Sequence, residues 1–329
     1  MQAEPSGGPS DRDRIERELF LRTTIGRNLP STRELAELLR AVVFDASEVI
    51  YREGDASDEM YFVRRGKVGL SRNGVVHEFG PGSVIGILDV EQDKPRARTA
   101  TALTDVELLS LSSEERLELL EDSFEHTRSL IRMTATRLDE SGRYGGAEID
   151  LATTLAPKPE PLLLIERVFT LRDTPAFRKA SIQALVSLAP SADEVRLAAG
   201  ELLFERGEAR GVLFVVVAGC VELECSYSNG DTSGPELLRP EAPRPAGARH
   251  RYGSASLLGG APSFGEALAR QSARALTPAV VLRLREEDFY DVMEDHFDLA
   301  RSALGYLASE NERRLDEAER GPNVQPSRA

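Results

Sequence analysis

Tryptophan is absent from this 329-residue chain, and aromatic residues of all kinds make up only 6% of it. A surface of rings for stacking single-stranded nucleic acid is therefore not expected. Cysteine is nearly absent too, with Cys220 and Cys225 alone. On one strand, five residues apart, they lie about 16 Å from each other on opposite faces, too far for a disulfide. Their spacing is not a zinc pattern, and His77, His126, His250 and His296 are scattered, so no metal site is expected. A reducing, cytoplasmic compartment fits this usage. Long apolar runs are missing as well. The longest, residues 212–221, is about half a membrane span. The opening MQAEPSGGPSDRDR lacks the apolar centre of a signal peptide, and no membrane partner is expected. The chain has no Gly-x-Ser-x-Gly elbow, no P-loop and no His-Glu-x-x-His. No catalytic residue is assigned, and the expectation is a protein that is not an enzyme.

Basic residues are outnumbered, 41 against 55 acidic, for a net charge of −14. Such a balance repels a phosphate backbone, so nucleic acid is not an expected partner. Hydrophobic residues make up 41%, enough for a core in each of two domains.

The strongest organisational signal is an internal repeat. ASEVIYREGDASDEMYFVRRGKVGL (46–70) answers to AAGELLFERGEARGVLFVVVAGCVEL (198–223), and ALTDVELLSLSSEERLELLEDSFEHTRSLI (102–131) to ALTPAVVLRLREEDFYDVMEDHFDLARSAL (275–304). Each copy reads as short strands at even spacing with glycine turns, the pattern of a small barrel or jelly roll. Lead-in helices are predicted over 14–39, broken at Pro30-Ser31 with Ser31 as N-cap and Glu34 completing a capping box, and again over 162–189. Amphipathic spacing of Leu117, Leu120, Phe124, Ile131 and Leu138 predicts one long helix over 114–140.

The expected organisation is a disordered stretch 1–13, a first domain 14–142, a linker 143–161, a second domain 162–319 and a tail 320–329. The second domain carries a Pro- and Gly-rich inserted loop, 226–251. The fold class is α+β, mainly β: two jelly-roll barrels, each with N-terminal helices and a long C-terminal helix.

One stretch concentrates the chemistry: GPGSVIGILDVEQDKPRARTATALTDVELLSL, from Gly80 to Leu111. A glycine turn, a short apolar and acidic segment, the cluster Pro95-Arg96-Ala97-Arg98-Thr99 and an alternating strand suit the holding of one phosphate. This layout, with VIYREGDASDEMYFVRRGKVGL before it, resembles the phosphate-binding cassette and early strands of cyclic-nucleotide-binding domains. In that family a Gly-Glu pair starts the cassette and an arginine ends it. The glutamate accepts from the ribose 2′-hydroxyl, the arginine pairs with the cyclic phosphate, and the following helix closes over the ligand.

The resemblance implies a ligand site at Gly86, Ile87, Leu88, Asp89, Arg96, Ala97, Arg98 and Thr99, and candidate ligands cAMP, cGMP or cyclic di-GMP. Gly86 and Arg96 keep the frame, but Ile87 stands where the glutamate belongs. Losing a hydrogen bond from a charged acceptor costs about 1.5–3 kcal/mol. Three readings stay open. Asp89 or Glu91 reaches the ribose instead, Arg98 serves a second phosphate, or the cassette is a relic with Arg96 in a surface ion pair. If the pocket is otherwise intact, Ile87→Glu restores affinity.

In the second copy, aligning 252–262 with the cassette start puts Ser254 at the glutamate place and Ser263 at the arginine place. Phe264-Gly265-Glu266 imitates the family triplet, but Arg270 follows it too soon. The second copy is expected not to bind a cyclic nucleotide.

Two functions follow: a regulatory sensor that acts on a partner protein, or a ligand-free assembly module built from both barrels. A transcription factor is disfavoured, because only a short tail follows the last helix. Pairing of the long helices between chains, giving a homo-oligomer, stays open.

Overall fold

The computed structural model describes residues 11–24, 32–140, 151, 154–208, 211–225, 248–258 and 271–320. Two lead-in helices, α1 (Asp11–Thr24) and α2 (Thr32–Leu38), precede the first barrel. Helix α1 thus begins inside the stretch expected to be disordered. Ser31, the expected N-cap, lies outside the described residues.

The first barrel is built from β1 (Arg40–Phe44), β2 (Val49–Tyr51), β3 (Glu59–Arg65), β4 (Val68–Arg72), β5 (Val75–Phe79), β6 (Val84–Ile85), β7 (Thr99–Ala102) and β8 (Val106–Ser112). A short helix, α3 (Ile87–Gln92), interrupts them between β6 and β7. The strands form two antiparallel four-stranded sheets, ordered β1-β8-β3-β6 and β2-β7-β4-β5. Tyr51, Tyr61, Val63, Val68, Ile85, Ala100 and Leu108 fill the space between them. A second apolar cluster, with Leu21, Leu35, Leu39, Met60, Phe62 and Leu111, joins the lead-in helices to the outer face of one sheet.

The expected helix over 114–140 is two helices, α4 (Ser113–Asp122) and α5 (Phe124–Glu140). Ser123 breaks the run with an extended backbone, φ −133° and ψ 94°. Its carbonyl accepts from the His126 and Thr127 amides, and its hydroxyl lies 2.7 Å from His126 Nδ1. The new helix therefore starts on the Ser123 carbonyl, and the Ser123 hydroxyl ties down the His126 ring of its first turn.

The second copy repeats the plan. Helices α6 (Leu164–Asp173) and α7 (Ile182–Leu188) lead in. Strands β9 (Asp193–Leu197), β10 (Leu202–Phe204), β11 (Val212–Ala218), β12 (Val221–Cys225), β13 (Ala248–Tyr252), β14 (Leu257–Leu258), β15 (Gln271–Ala275) and β16 (Ala279–Arg285) follow. Their sheets are ordered β9-β16-β11-β14 and β10-β15-β12-β13, strand for strand the order of the first barrel. Helices α8 (Glu286–Asp295) and α9 (Phe297–Arg320) are split at His296 as α4 and α5 are at Ser123.

The correspondence reaches single bonds. Leu103 N donates to Lys67 O, and Leu276 N to Cys220 O, both at 2.8 Å. Gly66 and Gly219, at φ +80° and +82°, open these turns, and a Cβ on either would collide with the carbonyl of Asp105 or Pro278. Only glycine fits such a left-handed, crowded position.

Two boundaries differ from expectation. Part of the predicted loop 226–251 is strand: Ala248–Tyr252 pairs along the whole of β12. The segment 226–247 lies outside the described residues. Of the expected linker, 143–150 and 152–153 lie outside them too, while Leu155 O accepts from Gly219 N, and Lys158 O and Glu160 O from the Arg196 guanidinium.

The contacts also divide the chain differently from the expected 14–142 and 162–319. One unit holds residues 1–130 with 311–329, the other residues 131–310. The reason is local. Ile131, Ala135 and Leu138 are buried, and Arg132 donates to Glu286 at 3.0 and 2.9 Å. Residues 311–320 instead place their carboxylates on first-barrel cations.

Candidate functional site

The candidate site lies where β6 runs through Gly86 into α3 and the chain returns through Pro95 to β7. Arg96 is 3% exposed. Its backbone is pinned from both sides: Arg96 N donates to Asp55 O at 2.8 Å and Arg96 O accepts from Gly54 N at 2.9 Å. The turn after β2 therefore fixes where this side chain starts. The guanidinium then runs inward under α3. Nη1 donates to Gly86 O at 3.0 Å, Nη2 donates to Glu59 O, and the Tyr51 ring covers Cζ with its centroid 4.2 Å away.

Gly86 sits at φ +77°, and a Cβ there would come within 2.5 Å of Arg96 Nη1. The family's glycine is thus required here by the arginine as well as by the turn. Tyr51 also stacks on Tyr61, at 6.1 Å between centroids and 22° between planes. Burial pushes the Tyr51 hydroxyl pKa up, against the pull of Arg96. Tyr51 has no place in the motif, and an aromatic at the end of β2 is an ordinary core residue by sequence.

Arg96 Nε is buried without a hydrogen-bond partner, and no carboxylate of the described residues forms an ion pair with this guanidinium. The reading of Arg96 as a surface ion-pair residue is therefore corrected. Buried charges are ordinarily paired, because desolvating one costs several kcal/mol. A buried guanidinium bonded to carbonyls alone, in ion-pair contact with no carboxylate of the described residues and with an orphaned Nε, fits a phosphate ligand.

The other cassette residues divide into three groups. Ile87 is half-buried and packs on the apolar cluster of Leu39, Met60, Phe62 and Leu111. Asp89 is buried, and its Oδ1 accepts from Ala97 N at 3.3 Å, with Lys94 Nζ 4.0 Å away. Burial raises its pKa, opposed by Lys94, the Ala97 amide and Arg96. Asp89 therefore places a carboxylate on an amide of the cassette itself.

Glu91, the other candidate for the ribose, pairs with buried Arg116 of α4 instead, which ties α3 to the following helix. Leu88 lends its carbonyl to Gln92 at 3.0 Å, and Thr99 Oγ1 accepts from Glu53 N at 3.0 Å, closing the turn behind Arg96.

Arg98 is 5% exposed and fully engaged. Its Nη2 lies 2.8 Å from Asp316 and its Nε 2.7 Å from Glu319. Burial works against its charge, yet these carboxylates hold its pKa above the usual arginine value. Residues so far along the chain gave no sequence signal of belonging to this site.

In the second copy the register reassigns one residue. Leu257–Leu258 pairs with β11 as Val84–Ile85 pairs with β3. Ala255 N donates to Val216 O as Gly82 N does to Val63 O, so Ser254 answers to Pro81, ahead of the cassette. Ser254 Oγ donates to Val217 O at 2.9 Å. Residues 259–270, which include Ser263, Phe264-Gly265-Glu266 and Arg270, lie outside the described residues. Gln271 occupies the register position of Arg98, 1% exposed, with neither amide atom hydrogen-bonded.

Residues 41–123 match the cyclic nucleotide-binding domain family. With that match and the identical strand order of the second unit, the chain carries a tandem of barrels of this fold. Among relatives, a cyclic nucleotide-gated potassium channel of Mesorhizobium japonicum is 36% identical over 102 residues, 31% of this chain and 28% of the channel. A CRP-like cAMP-activated global transcriptional regulator of Mycobacterium tuberculosis is 27% identical over 110 residues, 32% of this chain and 49% of the regulator. This chain thus spans less than half the length of either. The regulatory domain of Toxoplasma gondii PKA, solved with cAMP, aligns over 94% of this chain and 98% of that one, at 16% identity and a TM-score of 0.33. Among the described residues no helix is long and apolar enough to cross a membrane, and no group of side chains could hold a metal ion.

Proposed function

We propose that this is a non-enzymatic regulatory protein whose first barrel binds a small phosphate-bearing ligand of the cyclic-nucleotide class at Arg96. The observation that carries this reading is the Arg96 guanidinium, buried, oriented by Gly86 and Tyr51, with its Nε unbonded and no carboxylate of the described residues in direct ion-pair contact. cAMP, cGMP and cyclic di-GMP are the ligands to test. Ile87 offers the ribose no acceptor, so affinity for a standard cyclic nucleotide falls roughly 10- to 150-fold below that of a barrel with a glutamate there. Output runs from α3 to α4 through the Glu91–Arg116 pair and on to a partner protein in the cytoplasm. Neither nucleic acid nor membrane is its target.

A second reading, the ligand-free assembly module, is favoured by one observation: Asp89 already supplies an anion to the Ala97 amide. Calorimetry of the full chain with the three nucleotides, beside Arg96→Ala, separates the two. Saturable heat in the wild type that the substitution abolishes is the expected outcome. No binding at millimolar ligand leaves the assembly module.

A further inference from the structure

Residues 311–320 belong to the first unit. Glu312, Asp316 and Glu319 are spaced by four and three, which puts them on one helix face. Each meets the rim of the cassette. Glu312 pairs with Lys94 and accepts from Gln92 Nε2 at 2.9 Å. Asp316 lies 2.8 Å from Arg98 and 3.0 Å from Arg72. Glu319 lies 2.7 Å from Arg98, with His77 Nε2 3.4 Å away. The innermost of them is not a solvated surface pair: the Arg98 and Glu319 side chains are 6% and 8% exposed. Lys94 also faces Asp89, at 4.0 Å, so the rim contacts adjoin the buried site. Burial opposes ionisation of Glu312, but the bonds from Lys94 and Gln92 hold its pKa below the usual value.

We propose that residues 311–320 are a tethered anionic cover on the cassette, which a phosphate-bearing ligand displaces from Lys94 and Arg98. This rests on the reading of Arg96 as a ligand residue. The cover answers a charge problem in the fold. Arg98 is buried and needs a counter-anion whenever no ligand is bound, and the chain supplies its own. Occupancy by ligand and release of the helix end are then reciprocal: each weakens the other by the same factor.

The test uses the full chain and the variant Glu312→Gln/Asp316→Asn/Glu319→Gln. Glu312→Gln alone serves as a milder second variant, should the triple one fold poorly. Hydrogen exchange over 311–320 and calorimetry with cAMP, cGMP and cyclic di-GMP are both read. Three results are expected. Exchange over 311–320 is about tenfold faster in the triple variant, affinity for the ligand is about tenfold tighter, and saturating ligand speeds exchange of this segment in the wild type. The single substitution moves each in the same direction by less. Binding that needs Arg96 but is equally tight in wild type and both variants overturns the cover and leaves the function reading standing. Exchange that neither variant changes also overturns the cover. No binding by any of these proteins at millimolar ligand removes the ligand site and the competition with it.

Discussion

Asp89 and Ile87 each turn the cassette's local packing into a measurable expectation. Asp89 is a buried carboxyl whose pKa burial raises, so the folded chain keeps its proton at pH values where the unfolded chain has lost it. Stability is then lost as pH rises from the ordinary value of 3.8 through the raised one. Asp89→Asn removes this penalty while keeping an acceptor for the Ala97 amide. The variant should be more stable than wild type at pH 7, with the gain gone at pH 3. Urea midpoints at the two pH values measure it, and an equal gain at both would show that ionisation is not the cause.

Ile87 calls for revision of an expectation. By sequence, Ile87→Glu rebuilds the family pair and raises affinity. In the structure residue 87 packs on Leu39, Met60 and Phe62, so a carboxylate there is drawn from water into an apolar cluster. The expected result is a loss of about 2 kcal/mol in stability and no gain in cAMP affinity by calorimetry. The sequence shows which residue fills a motif position. It does not show which way that side chain turns, since this depends on packing against α1 and α2.

At the scale of elements, the pair Glu91–Arg116 is the joint between cassette and helix. Arg116 is buried, so removing its partner leaves an unpaired charge. Glu91→Leu should cost about 3 kcal/mol, and Glu91→Leu/Arg116→Met should recover most of it in denaturant melts. If the joint also carries the signal, the double variant binds ligand as the wild type does but no longer changes hydrogen exchange in α4 when ligand is added.

Elements were legible where local patterning decides them. Alternation marked the strands, and Gly66 and Gly219 marked turns that no other residue fits. The break at Ser123 was not legible, because the apolar spacing of Leu120, Phe124 and Ile131 continues across it. Nor was the strand at Ala248–Tyr252, whose partner β12 precedes a long Pro- and Gly-rich insertion.

For the whole molecule, duplication was plain from the sequence, and the two sheet orders agree with it. Among the described residues the copies differ in charge at one matched position of the cassette. Where the first carries Arg98, the second carries Gln271 with no bonded partner. One ligand per chain is therefore the expected calorimetric stoichiometry; a value near two would assign binding to the second barrel as well. The part of the site drawn from 311–320 escaped the sequence for a simple reason. Asp316 and Arg98 are separated by 218 residues, and no local pattern reports on so distant a partner.

That separation bears on any attempt to dissect the protein. A cut at the seam between the repeats yields a fragment whose first barrel keeps a sequestered guanidinium but forfeits the acids that neutralise it. Such a fragment would misreport both the sturdiness of the barrel and its appetite for anions. Faithful measurements need the polypeptide through Arg320, or the missing acids returned as a separate peptide.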